Sequence, residues 1–394
     1  MKKYSESIIL KTSLAIFAML FGSANLIFPI KLGAISGDHT WLGLIGFMLS
    51  GILIPIFGLI GMVFFDGDYR SFFYRMGKVP GDILIFLCML IIGPILAIPR
   101  IISLTYATLA PFLGQYINLA TFSILFVSMT FLLAYKESSV INLIGKVLSP
   151  LKLLSLIAIF VIGYIGHEAA PISNISNSLI FHDGLLYGYN TLDLLGAIFF
   201  AYITINALYT TEDKSKETGS KKIAKIMLYS SVIAGVLLAT VYGALAYLGA
   251  WYGSEFASQD LSEVFIKTIL KIVGEKGALV LGITVFIACL TTIIALSSVA
   301  SSYLKNDVLD KKLSLNIPYT ACLIGTLGLA AFMAQFKLDP LIRYSEPVIK
   351  IIYPVLIALT FCNLAYKLWG FKPVKAPVLI TLVTSIFYTI LQYI

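Results

Sequence analysis

Small and polar residues interrupt the first apolar stretch of this 394-residue chain. Gly22, Ser23 and Asn25 lie in the middle of an apolar run over 8–32, and Pro29 follows them. Gly, Ser and Asn are poor helix formers, and a proline removes a donor and clashes one turn back. A helix in lipid must satisfy its backbone N–H and C=O groups internally, unless protein or a water-filled cavity takes up the freed groups. The chemistry that this stretch could perform is therefore the binding of a polar ligand by bare backbone inside a membrane.

A second set of candidate groups lies at 288–292. Thr291 and Thr292 stand one turn after the small residue Ala288. Hydroxyl and carbonyl oxygens are the ligands that hard cations prefer, so this segment could hold a monovalent cation. The same hydroxyls could instead form hydrogen bonds between membrane helices. The residues alone leave both interpretations open.

Signatures of catalysis are missing from the sequence. The four cysteines and three histidines stand singly, without the spacing of a zinc site or a disulfide pair. The sequence has no phosphate-binding Gly-rich loop, no nucleophile elbow and no His-Glu zinc helix. We therefore expect no enzyme, no cofactor and no metal centre beyond a coupling cation.

The elements that must position these groups are membrane helices. Hydrophobic residues make up 59% of the chain and charged residues 12%, against about a quarter charged in soluble domains. Apolar segments of roughly 20 residues, enough to cross a bilayer, follow one another with short connections. We count eleven such spans, at about 8–32, 41–65, 82–111, 118–135, 147–166, 189–209, 222–250, 277–304, 315–336, 340–368 and 376–394. The sequence thus predicts an all-α polytopic membrane protein.

The basic residues indicate how the chain is oriented. The formal net charge is +8, which by itself could attract nucleic acid or anionic lipid. With a cytoplasmic N-terminus, 20 of the 28 basic residues fall on the cytoplasmic side and 5 on the outer side. This is the distribution that the positive-inside rule expects. The charge therefore indicates topology, and no nucleic-acid partner is expected.

Gly and Pro interrupt spans 1, 3 and 10, and span 5 begins near Pro150. Interrupted spans in corresponding halves are typical of inverted-repeat transporters, whose site lies at the repeat interface. The candidate repeats cover about 8–166 and 189–368, and one additional helix covers 376–394. All of 1–394 would then form a single transmembrane domain.

Five motifs, in order, resemble those of a known family, the branched-chain amino acid:cation symporters of the amino acid–polyamine–organocation superfamily. The motifs of this chain are Phe21-Gly22-Ser23-Ala24-Asn25-Leu26-Ile27-Phe28-Pro29, Ile92-Gly93-Pro94 with Ala97-Ile98-Pro99-Arg100, Gly188-Tyr189-Asn190-Thr191-Leu192-Asp193, Ala288-Cys289-Leu290-Thr291-Thr292, and Ser345 and Pro347 with Tyr353-Pro354. The resemblance covers most of the chain. It implies the leucine-transporter fold in a bacterial inner membrane, with ten core helices in two inverted repeats and helices 1 and 6 broken at midplane.

The resemblance also implies a substrate site at the two breaks. The amides around Gly22, Ser23, Ala24 and Asn25 would hold an amino acid carboxylate at a half-helix N-terminus, where the dipole favours an anion. The break in helix 6 is expected near Phe200-Ala201. The candidates for an apolar pocket around a branched side chain are then Phe199, Phe200 and Tyr202.

A shared sodium site is implied next to the break in helix 1. Its ligands would be the carbonyls of Ala18, Phe21 and Ala288 and the hydroxyls of Thr291 and Thr292. Na⁺ is therefore the coupling ion that the resemblance suggests first, and H⁺ the second.

Lys152 departs from the family pattern at the start of helix 5. The sodium-coupled carriers typically have an apolar residue there, whereas sodium-independent relatives in the superfamily place the ammonium of a lysine in the sodium site. A fixed cation can substitute for sodium, and a buried lysine can carry a proton. The alternative is a lysine near the cytoplasmic end whose side chain snorkels to water. Ala24, where the family has a second glycine, is a further departure and leaves the substrate open.

Three charged residues of span 10, Arg343, Glu346 and Lys350, are spaced to share one helix face. Charges at membrane depth suggest function by default, but a solvated vestibule and a structural ion pair both fit the spacing.

Taken together, the residues predict a secondary transporter that moves branched-chain or other apolar amino acids by alternating access, coupled to Na⁺ or H⁺. The alternatives are a sodium-independent exchanger in which Lys152 replaces the cation, and a carrier for another small metabolite. A channel is disfavoured because the sequence lacks a repeated filter loop or a charged ring. The expected partners are a small amino acid substrate and the lipid bilayer, with no obligatory protein partner.

Overall fold

All regular secondary structure is helical in the described part of the chain, a computed structural model that covers residues 2–113, 116–135, 149–211 and 216–393. No strand occurs among these residues, which confirms the all-α prediction. The start of predicted span 5 at 147 lies outside them. In chain order the helices are α1 Lys2–Leu20, α2 Ser23–Ser36, α3 Thr40–Met48, α4 Ile54–Phe64, α5 Tyr69–Phe73, α6 Lys78–Leu90, α7 Ala97–Leu113, α8 Leu119–Ala134, α9 Ser149–Ile165, α10 Asn177–Asn190, α11 Asp193–Thr211, α12 Lys216–Tyr252, α13 Leu261–Tyr303, α14 Tyr319–Met333, α15 Leu338–Trp369 and α16 Lys375–Tyr393.

The predicted spans match the apolar helices of the described residues. By length and composition, seven helical segments are able to cross a membrane, and four shorter apolar helices accompany them. The first short helix, Ser7–Leu20, and the first long segment, Ser23–Phe64, together cover predicted spans 1 and 2. Each remaining segment overlaps one predicted span, but Asn177–Tyr209 begins well before the predicted span at 189–209, which missed the helix Asn177–Asn190. The division into two repeats at the predicted boundaries stays a prediction.

The first broken helix is interrupted where the sequence predicts it. Phe21 and Gly22 separate α1 from α2. Gly22 has φ −112° and ψ −154°, an extended conformation in which the helical hydrogen-bond ladder cannot continue. The small and polar residues of this stretch therefore produce a break rather than a continuous helix.

The second broken helix is interrupted at Thr191 and Leu192, between α10 and α11. The predicted position near Phe200 and Ala201 is wrong, because both residues are buried inside α11. Leu192 has φ 64°, a left-handed conformation that a residue with a Cβ rarely adopts and that ends a right-handed helix. The apolar run around Phe200 offers no such obstacle, so the helix passes through it.

Helices α2 and α12 pack in direct backbone contact. A Cβ atom added at Gly33 would lie 1.8 Å from the Ala246 carbonyl oxygen, and one added at Gly249 would lie 2.1 Å from the Ile30 carbonyl oxygen. Small residues permit such close approach between membrane helices. The second half of broken helix 1 is therefore held against α12.

Replacing Gly249 by alanine is expected to lower the melting temperature of the purified protein by several degrees. The methyl group would meet a backbone oxygen, which cannot turn aside as a side chain can, and overpacking typically costs roughly 1–3 kcal/mol. Intrinsic-fluorescence unfolding in detergent measures the change.

The matched control is Gly243→Ala on the same helix, where an added Cβ meets nothing within 4 Å. This control should leave the melting temperature unchanged or raise it slightly, since alanine favours helix over glycine by about 1 kcal/mol. Equal melting temperatures for Gly249→Ala, Gly243→Ala and the wild type would contradict the packing argument.

Candidate functional site

Asn25 joins the two broken helices through its side chain. Its Oδ1 accepts the Gly22 N–H at 3.0 Å, and its Nδ2 donates to Asp193 Oδ2 at 2.7 Å and to the Tyr242 hydroxyl. That hydroxyl donates to the same Asp193 oxygen at 3.0 Å. All three side chains are buried. Because Asn25 lies in the first turn of α2 and Asp193 opens α11, this network fixes the two breaks against each other.

Two helix N-termini meet at this network. The first N–H groups of a helix have no intrahelical partner and carry partial positive charge. At α11 the carboxylate of Asp193 occupies the favourable end of the dipole. At α2 the amides of Ser23, Ala24 and Asn25 stand where the sequence predicts an anion, and their role in substrate binding stays a prediction.

The residues predicted for the cation site lie together. The Thr291 hydroxyl oxygen is 2.7 Å from the Ala288 carbonyl oxygen and 3.2 Å from that of Ala18. The Thr292 hydroxyl donates to the Phe21 carbonyl at 3.1 Å. Ala18 lacks its usual helical donor, because the Gly22 N–H bonds to Asn25 instead. The break in helix 1 thus supplies carbonyl oxygen to this position.

The ammonium of Lys152 occupies the same position. Lys152 Nζ donates to the Ala18 carbonyl at 3.0 Å and to the Phe21 carbonyl at 2.6 Å. The side chain is fully buried, and Nζ lies 5.2 Å from the centroid of the Phe21 ring, within range of a cation–π contact. The snorkelling interpretation is therefore wrong. The side chain turns into the protein because the broken helix offers it two carbonyls.

A cavity lies between the two breaks. About 40 Å³ of it is open to the centres of water-sized molecules, which is room for roughly three waters. The polar residues of its lining include Ser23, Asn25, Arg100, Asp193 and Thr292. The apolar residues of its lining include Met19, Leu20, Ile92, Ile101, Phe200 and Leu296. A larger ligand can enter only if lining side chains or helices move.

The cavity brings together only part of the predicted substrate site. Gly22, Ala24 and Phe200 also line it, whereas Phe199 and Tyr202 do not. The rings of Phe199 and Tyr202 pack against Tyr69 of α5, with centroids 5.5 Å and 5.3 Å away. This corrects the prediction for these two residues. Helical spacing explains it, because Phe200 shares a face with the cavity residue Gly196 at i, i+4, and its neighbours point elsewhere.

Two charged residues of the cavity wall were not assigned from the sequence. In the sequence, Asp193 is recognisable only as the end of a motif. It lines the cavity because the helix breaks just before it, at Thr191 and Leu192, which the sequence did not predict. Arg100 is recognisable from the sequence as an arginine within an apolar span, a position that suggests function by default. It is 2% exposed and lies in the first turns of α7, which follows a distorted turn at Gly93.

The charged face of span 10 lies apart from this cavity. Lys350 Nζ is 2.8 Å from a Glu346 carboxylate oxygen, and Arg343 is exposed. The pair fits the structural ion pair that the spacing allowed, and none of the three residues lines the cavity between the breaks.

A protein-family model matches nearly the whole chain. A family model described as "Branched-chain amino acid transport protein" matches residues 5–393. The branched-chain amino acid permease BrnQ of Bacillus subtilis is 33% identical over 383 residues, which cover 94% of this chain and 84% of the permease. The branched-chain amino acid permease BraB of the same organism is 32% identical over 365 residues, 89% of this chain and 79% of that protein.

Solved structures share the architecture at low sequence identity. Mhp1, a nucleobase-cation-symport-1 family transporter in a closed conformation with bromovinylhydantoin bound, aligns with a TM-score of 0.64 and 12% identity. The alignment covers 98% of this chain and 91% of Mhp1. The likeness confirms the leucine-transporter-like fold.

Proposed function

The chain belongs to the branched-chain amino acid transport protein family, and we propose that it is a secondary carrier that moves branched-chain amino acids across the membrane by alternating access. The observation that carries the proposal is the cavity between two broken helices, which is lined by the first residues of two helices, by charged groups, and by aliphatic and aromatic side chains. Such a lining suits a ligand with a polar head and a branched apolar tail.

The coupling mechanism that the geometry supports best does not use Na⁺ at this position. The ammonium of Lys152 already holds the Ala18 and Phe21 carbonyls, and a second cation beside it would be repelled at short range. We therefore propose that Lys152 replaces the sodium ion that the resemblance suggests. Transport would then proceed by exchange of amino acids or with H⁺, which a buried lysine can release and rebind.

Uptake of labelled leucine, isoleucine and valine into proteoliposomes tests both parts. We expect saturable uptake that competes among the three amino acids and that keeps its initial rate when external NaCl is replaced by choline chloride. Uptake that requires a Na⁺ gradient would contradict the proposed coupling and leave the substrate class standing. No uptake or competition by any branched-chain amino acid would contradict the substrate class itself.

The membrane setting follows from the family and from the apolar helices. We propose that the N-terminus faces the cytoplasm of a bacterial cell, as the distribution of basic residues supports.

A further inference from the structure

Two buried charges of opposite sign line the cavity without pairing to each other. Arg100 is 2% exposed and Asp193 is 3% exposed, and both belong to the cavity wall. Among the described residues, no ion pair within 4.0 Å links either one to a group of opposite charge. A buried charge without a counter-charge is costly, so the cavity is built to receive charge of both signs.

Arg100 has donors to spare. Its Nη1 donates to the Asn190 carbonyl at 3.3 Å, and its Nη2 donates to the Ser345 hydroxyl at 2.7 Å. Its Nε is buried and has no hydrogen-bond partner among the described residues. A guanidinium carries five N–H donors in a planar fork that matches a carboxylate. The contact with Asn190 caps the last turn of α10. Both acceptors of Arg100 are neutral, so they do not balance the positive charge of the guanidinium.

Asp193 has acceptor capacity to spare. Asn25 and Tyr242 both donate to its Oδ2, whereas an ionised carboxylate can accept about four hydrogen bonds. Both donors are neutral groups. When ionised, Asp193 is therefore solvated by these hydrogen bonds, and no basic residue of the described part of the chain forms an ion pair with it.

We propose that the cavity recognises a zwitterion, with Arg100 binding the carboxylate of the substrate and Asp193 binding its ammonium group. The inference rests on the proposed function as an amino acid carrier and assigns the two charged contacts of that site. Ser23, Ala24 and Asn25 of α2 line the same cavity, and their amides add to the carboxylate contact, as the resemblance implies. The two residues make the cavity selective for ligands that carry both charges, because a ligand that lacks either charge leaves Arg100 or Asp193 without a counter-charge.

Ligands that lack one charge test this assignment directly. Dissociation constants are measured from ligand-induced shifts of the melting temperature for leucine, for isopentylamine (leucine without its carboxylate) and for 4-methylpentanoate (leucine without its ammonium). The wild type should bind leucine best. Arg100→Gln should weaken leucine binding roughly 10- to 100-fold, the loss expected for one charge-assisted contact, and should lose most of the wild-type preference for leucine over isopentylamine. Asp193→Asn should bind leucine no better than 4-methylpentanoate.

Two controls separate binding from folding. Arg100→Lys keeps the charge but loses the fork, and it should retain part of the preference for leucine over isopentylamine. Arg343→Gln makes the same change at an exposed arginine outside the cavity, and it should leave all three dissociation constants unchanged. If Arg100 only caps α10, its loss weakens leucine and isopentylamine alike, and the wild-type preference survives. That result would overturn the proposal.

The same measurements distinguish an error in the proposed function from an error in the roles given to Arg100 and Asp193. If the wild type binds no branched-chain amino acid, the substrate class is wrong, and the same comparison is made with the amino acid of the standard twenty that most raises the melting temperature. Loss of the charge preference in Arg100→Gln for that amino acid still supports zwitterion recognition. A wild type that binds none of the twenty overturns both.

Discussion

Replacing Lys152 by alanine is expected to reduce the initial rate of leucine uptake in sodium-free proteoliposomes at least about tenfold. The substitution removes two charge-assisted hydrogen bonds, each worth roughly 1.5–3 kcal/mol, from the Ala18 and Phe21 carbonyls at the break in helix 1. The carbonyls would lose their charged donor and keep the neutral hydroxyls of Thr291 and Thr292, and the half-helices would lose the contact that ties them to α9. Initial rates at matched protein incorporation measure the effect.

Sodium gives this prediction a second readout. The position vacated by Lys152 keeps the oxygens that a hard cation prefers, from Ala18, Phe21, Ala288, Thr291 and Thr292. We therefore expect added Na⁺ to restore part of the uptake of Lys152→Ala while leaving the wild type unchanged. Lys225→Gln, at an exposed lysine of α12, is the control and should behave as the wild type. If uptake is strictly sodium-dependent and equal in the wild type and Lys152→Ala, the proposal that the Lys152 ammonium replaces Na⁺ is wrong.

Replacing Asn25 by alanine is expected to abolish most leucine uptake and to lower the melting temperature. One side chain holds the Gly22 N–H, the Asp193 carboxylate and the Tyr242 hydroxyl. Its removal leaves these buried groups short of partners, at a cost of roughly 1–3 kcal/mol for each. The two breaks would then no longer be fixed against each other. Uptake and thermal unfolding of the same preparation measure both effects.

Tyr242→Phe is the matched control for the network. It removes one hydroxyl but keeps the ring, which stacks on Phe21 and packs edge-on against Phe47. Its effect on uptake and on melting temperature should be clearly smaller than that of Asn25→Ala. If Tyr242→Phe proves the more damaging change, the hydroxyl rather than the amide is the centre of the network, and the role given to Asn25 is wrong.

The two breaks differ in how far local sequence determines them. At Gly22 the residue types themselves disfavour a helix, and the break lies where they predict it. At Leu192 the chain adopts a positive φ with a residue that has no local preference for it. Such a conformation persists only when the surrounding structure enforces it, here through the network around Asp193. A local pattern could not reveal it. The prediction for Phe199 and Tyr202 was wrong because it assumed a break near Phe200, where α11 is continuous.

Long-range contacts explain why the roles of Lys152 and Arg100 could not be predicted from the sequence. Lys152 meets carbonyls that lie more than 130 residues earlier in the chain, so its position at the start of an apolar helix fitted snorkelling equally well. Arg100 was visible as a charge within a span, but its partners Asn190 and Ser345 come from two other helices. The eleven spans, by contrast, depend on composition over about 20 residues, and they could be predicted from the sequence.

The bond between Lys152 and helix 1 also bears on how the protein is assembled during synthesis. Helix 1 leaves the ribosome before α9, whereas Thr291 and Thr292 follow more than 130 residues after Lys152. A lysine in lipid and a carbonyl without a donor in lipid are each unfavourable. The Ala18 and Phe21 carbonyls give the newly inserted ammonium a partner while the second half of the chain is still being translated. The ammonium of Lys152 thereby has hydrogen-bond acceptors within the nascent first half before the threonines are synthesised.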